Sequence, residues 1–90
     1  MAYVTVNNDT NSRLLFSIFN KGDSGVPFHA QWIDAGQSGQ MNIGKFNEVG
    51  VGVQIQEGGR WIGGDPKDPP YFGPQSTVSA LSILGGQPIG

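Results

Sequence analysis

Ninety residues with no cysteine and a formal net charge of −2 describe one small domain, spanning 1–90, without disulfides, thiolate metal sites or a cysteine nucleophile. The five basic residues (Arg13, Lys21, Lys45, Arg60 and Lys67) are scattered, whereas a nucleic-acid binder clusters them to displace counterions from phosphate. Charged residues make up 13% of the chain against the usual ~25%, and neutral Asn, Gln, Ser and Thr fill the polar positions, a surface suited to a partner rich in hydroxyl groups.

The chain opens on "YVTVN" (3–7), which puts Val4 and Val6 on one face of a strand. No basic segment followed by an apolar one marks a signal peptide, and no apolar run is long enough to span a membrane. The expected location is therefore cytoplasmic, or outside the cell by release without a classical signal. "NNDTNS" (7–12) reads as a turn, since Asn and Asp tolerate left-handed backbone and bond their own main chain.

"RLLFSIFN" (13–20) follows as a strand with Leu14, Phe16 and Ile18 on one face and Leu15 and Phe19 on the other. "NKGDSGVP" (20–27) is a second turn. Its "GDSG" matches a serine-protease nucleophile segment, but the chain is too short for that fold and lacks its other parts. "FHAQWID" (28–34) sets Phe28, Ala30 and Trp32 on one face, opposite His29, Gln31 and Ile33. This reading assigns Trp32 to the core by default. "DAGQSG" (34–39) is expected to be a short hairpin connection, with "QMNIG" (40–44) as the returning strand.

"VGVGVQIQ" (49–56) alternates most cleanly, with Val49, Val51, Val53 and Ile55 on one face. Gly50 and Gly52 leave a lane without side chains on the other. A neighbouring ring or backbone packed into that lane is the plain explanation; a ligand or second subunit is the sharper one. "EGG" (57–59) suits a tight turn toward Arg60 and Trp61, and "STVSALSIL" (76–84) reads as the last strand. These elements and their glycine-rich punctuation give an all-β fold, a small antiparallel sandwich or barrel of six to seven short strands without a substantial helix. So thin a core points to self-association, in a homodimer or larger assembly.

Between them lies "GGRWIGGDPKDPPYFGP" (58–74), which reads as a long irregular loop. Sugars present a patch of C–H groups on one face and hydroxyls around the rim. A ring stacked on the patch and planar hydrogen-bonding groups at the rim bind them. The loop offers Trp61, Tyr71 and Phe72 as rings, Asp65 and Arg60 as rim groups, and prolines that limit the entropy lost on binding. Its alternative is a strap packed over one sheet edge. The candidate sugar-binding set is Trp61, Asp65, Arg60 and Tyr71, with His29 as a hydroxyl partner and Trp32 as a further ring.

No enzyme is expected. The lone His29 lacks the rest of a triad, and the thin sheet gives no cleft to set two carboxylates face to face. "DPKD" (65–68) offers two acidic groups without metal-ligand spacing, so no metal or cofactor is expected.

In "VTVNNDTNSRLLFSIFNKGD", "WIDAGQSGQMNIGKF" and "VGVQIQEGGRW" the chain resembles the small, cysteine-free mushroom lectins that recognise α-galactosyl sugars as homodimers. That resemblance implies a β-rich fold, multivalent galactoside binding, no catalysis and a fungal defence role. The opening stretch is also similar in cadence to aegerolysin-like sandwiches, which implies lipid binding at a membrane. A third expectation is a protein-binding module of protease-inhibitor type, with the proline-rich loop as its rigid insert.

Overall fold

A computed structural model describes residues 2–20, 27–64 and 69–85. The chain is all-β, with eight strands and one short helix among those residues: β1 (Ala2–Asn7), β2 (Leu14–Asn20), β3 (Pro27–Ile33), β4 (Ser38–Gly44), β5 (Val49–Gln54), β6 (Trp61–Gly63), β7 (Tyr71–Phe72), β8 (Thr77–Ser79) and α1 (Ala80–Ile83). They form two sheets, β4-β1-β8 and β3-β2-β5-β6, with β7 also paired to β5. All pairings are antiparallel except β1 with β8.

In β1, β2, β4 and β5 the inward face is the apolar one that alternation marks. Val4, Val6, Met41, Ile43 and Val78 come from the smaller sheet. Leu14, Phe16, Ile18, Ile33, Val49, Val51 and Val53 come from the larger, and together they make one buried core. Strand β2 is buried on both faces, because Leu15 and Phe19 are covered too. The larger sheet therefore carries a second apolar layer on its outer side.

Three expectations are corrected. Residues 34–39 do not fold back as a hairpin: β4 pairs with β1 in the other sheet. Asn8 redirects this connection, its N–H donating to the Gln37 carbonyl and its own carbonyl accepting from Gly36 N–H, both at 2.8 Å. The crossing lets Ile33 in the larger sheet and Met41 in the smaller one enter the same core. The side chain of Asn8 is buried and ties the first crossing to the second. Its Nδ2 donates to the carbonyls of Ser12 and Ile33, each at 2.8 Å, while Oδ1 accepts from Thr10.

The strand expected over 76–84 stops at Ser79, whose hydroxyl accepts from Ser82 N–H and caps α1. Gly85, at φ 72°, closes the far end with its N–H on the Ser82 carbonyl. "SALSILG" is therefore a helix bounded by both its caps, with serine at one end and glycine at the other.

The stretch 58–74 is not one irregular loop. It supplies β6 and β7, which both pair with β5. Of the turn expected at 20–27, residues 21–26 lie outside the described residues, as do 65–68 and 86–90.

Candidate functional site

The outer face of the larger sheet gathers most of the aromatic side chains that the sequence singles out. Register sets them in rows. Trp32 on β3 stands opposite Leu15 on β2, Leu15 opposite Gln54 on β5, and Gln54 opposite Trp61 on β6. Three strand spacings separate the two tryptophan backbones by about 14 Å. The next row runs Ala30, Ser17 and Gly52, and the one after it Phe19, Gly50 and Tyr71. The face thus has indoles on its two flanks, buried Leu15 and Gln54 between them, and an exposed tyrosine at one end.

Trp61 is half-buried on this face. Its Cζ3 and Cε3 atoms lie 2.8 and 2.9 Å from where a β-carbon on Gly52 would stand. Its ring meets the Phe19 ring edge-on, with centroids 5.3 Å apart at 64°. Pro69, also buried, fills the place of a side chain above Gly50, and the Pro70 carbonyl accepts from Val51 N–H at 3.1 Å. The glycine lane in β5 is therefore occupied by the chain's own strap: a ring over one glycine and a proline over the other.

The structure places Trp32 outside the core, correcting the core reading. Pairing of Leu14 with Ile33 makes Ile33 the inward residue, and a period of two then turns Trp32 outward. Its ring is half-buried and carries the Arg13 guanidinium 4.7 Å from its centroid. The same pairing sets Arg13 and Asp34 side by side just beyond the strand ends, where Arg13 Nε and Asp34 Oδ1 are 3.2 Å apart. Both side chains are well exposed, so the pair orients the guanidinium and adds little stability.

Arg60 is exposed at the rim next to Trp61. With Ile55, Gln56, Gly59 and Ile62 it lines a shallow depression of about 230 Å³, and because Ile62 packs on the core this depression opens on the inner-face side of the sheet, away from the Trp61 indole. Ordinary ligand pockets hold roughly 300–1,000 Å³, so this one can grip part of a ligand and not enclose it. The end of β5 is braced there by Gln54 Nε2, which donates to the Gly59 carbonyl at 2.7 Å.

Trp61, Tyr71 and Trp32 thus share a face, while Arg60, next to Trp61 in the chain, lines the depression with the core-packed Ile62 and does not join them. His29 does not join them. It pairs with the inward Ile18, so it projects from the opposite side of the sheet at the exposed edge strand. Phe72 is also absent from this face, since it pairs with Val49 and packs on the core. Asp65 lies outside the described residues.

Sequence reasoning passed over Arg13, the cation stacked on Trp32. Its signal was the alignment of "RLL" with "WID", which needs the strand register to be seen. Asp9 was passed over too. Its carboxylate accepts from the Ser79 hydroxyl and from Leu81 N–H, the latter at 2.9 Å. The Ser79 hydroxyl, with the backbone N–H groups behind it, holds the Asp9 carboxyl below its ordinary value of 3.8.

Among the described residues no three acidic or histidine side chains gather where they could hold a metal ion, and no helix is long and apolar enough to cross a membrane. Comparison with known proteins finds no family model, no characterised relative and no solved structure that matches this chain.

Proposed function

We propose that this protein is a non-catalytic carbohydrate-binding protein, a lectin of galactose-type sugars, and that the outer face of the larger sheet is its binding surface. The observation that carries the reading is the meeting of Trp32, Trp61 and Tyr71 on one face, although they come from β3, β6 and β7. A stacking platform needs a ring that is held yet still open to solvent. Trp61 is held by Gly52 and Phe19 and remains half-exposed. A charge-poor surface suits a neutral ligand that carries no field to steer it, and self-association would turn weak single-site binding into multivalent binding. The fungal and defensive roles rest on the resemblance noted in the sequence alone.

Titration with galactose, lactose and α-galactosyl disaccharides, followed by the two indole N–H resonances, tests the proposal. Galactosides should shift the Trp61 resonance at millimolar concentration or below, and Trp61→Ala should bind at least tenfold more weakly with its strand signature in circular dichroism retained. Sugars that leave both indole signals unmoved would overturn the reading. Liposome binding that galactose does not compete away would replace it with the lipid-directed one.

A further inference from the structure

We propose that the outward edge of β4 at Ser38 and Gln40 is a pairing surface for a second copy of this chain, joining two three-stranded sheets into one of six strands. The direction of the backbone groups carries the inference. On β1, Thr5 N–H donates to the Ser76 carbonyl at 2.9 Å, and the Tyr3 carbonyl accepts from Gln75 N–H at 2.7 Å. Tyr3 and Thr5 therefore point their main-chain groups toward β8. By alternation, Val4 and Val6 point theirs toward β4, where they face Met41 and Gly39. The 2.8 Å bond from Asn8 N–H to the Gln37 carbonyl continues the same phase.

Met41 and Gly39 thus spend their main-chain groups on β1. Ser38 and Gln40, between and beside them, turn theirs outward over the edge. Both residues are exposed, and among the described residues nothing bonds those outward groups.

Sheet edges in soluble proteins are blunted by charge, proline, bulges or brevity. Strand β3 opens on Pro27, β8 has three residues, and β6 and β7 have three and two. Strand β4 runs seven residues, "SGQMNIG", without a charge or a proline. Two such edges brought together do not repel each other. A two-fold axis at Gly39 sets Ser38 opposite the partner's Gln40 and Gln40 opposite the partner's Ser38. Each pair exchanges two N–H···O=C bonds, and the pairing is isologous, as closed dimers require. Gly39 meets its own copy at the close, non-hydrogen-bonded position. An interface built on a short edge lies at the small end of stable contacts, so the dimer is concentration-dependent.

The test is the mass of the full chain in solution against concentration, with amide exchange read at Ser38 and Gln40. The wild type should climb from 9.5 kDa toward twice that, 2 × 9.5 = 19 kDa, and its Ser38 and Gln40 amides should exchange slowly only at the high end. Gln40→Pro removes an outward N–H without touching the β1 ladder, and Gln40→Lys places two like charges near the axis. Both should stay at 9.5 kDa with native circular dichroism. The lysine variant keeps the backbone intact should the proline variant fail to fold. A wild type that stays monomeric up to millimolar concentration, or folded variants that still dimerise, would overturn the proposal. No glycan enters the measurement, so its result is independent of what the outer face binds.

Discussion

Trp61 stands where a side chain on Gly52 would stand. Two of its ring atoms come within 3 Å of that position, and the Gly64 carbonyl oxygen is 2.6 Å from it. The indole can yield; the carbonyl, part of a backbone paired to β5, cannot. Gly52→Ala should therefore push the strap off the sheet and destabilise the fold by about 1–3 kcal/mol, the usual scale of overpacking. Thermal unfolding should show a midpoint roughly 4–8 °C lower per kcal/mol, with a red-shifted tryptophan emission. Unchanged stability would mean that the strap does not rest on this glycine.

Asn8 predicts a larger loss. Its amide serves Ser12, Ile33 and Thr10 in a buried setting. Asn8→Ala takes a side-chain donor from the Ile33 carbonyl and leaves the Ser12 carbonyl only the Thr10 hydroxyl, and urea unfolding should record about 2–4 kcal/mol. Asn8→Asp should cost at least as much, because it aims a carboxylate oxygen at carbonyls that require a donor.

Gln75 offers a gain. It is the one non-glycine among the described residues with positive φ, at 64°, following Pro74 in the turn before β8. Gln75→Gly should raise stability by roughly 0.5–1 kcal/mol by relieving the left-handed backbone, read as a higher thermal midpoint. A fall would show that the Gln75 side chain contributes more than the relief returns.

Asp9 sets an acid dependence. Its folded pKa lies below the ordinary value of 3.8, chiefly through the Ser79 hydroxyl. The folded state therefore binds fewer protons than the unfolded one. The contribution is complete above about pH 5 and fades as pH falls through the lowered folded value. The exposed position keeps it small. Carboxyl resonances followed by pH titration should place Asp9 below its ordinary value of 3.8 in wild type, and Ser79→Ala should move it back up.

Much of the fold was legible because burial imposes a period. The alternation in 3–7, 13–20 and 49–56 located β1, β2 and β5, and the two glycines of β5 foretold something packed against them, which proved to be Trp61 and Pro69. Partner choice was not legible. Nothing local in "DAGQSG" says that the next strand pairs with β1, since that depends on Asn8, 28 residues before Gly36. Trp32 was misjudged for a related reason: alternation shows which residues share a face but not which face turns inward, and Ile33 decides that only once its pairing with Leu14 is known. The helix was missed because its two caps are stronger signals than the period of so short an element. The strap's strands were missed because two or three residues hold no period at all.

The smaller sheet draws on residues 2–7, 38–44 and 77–79, with the earliest segment in the middle. During synthesis β1 emerges before both of its neighbours and waits until Thr77–Ser79 has been made before the second of them exists. Such distant closures fold slowly and leave a sticky intermediate exposed in the interval. Truncation before Thr77 should therefore yield aggregates in place of a smaller soluble domain, since no part of the sandwich is usable until β8 has been made.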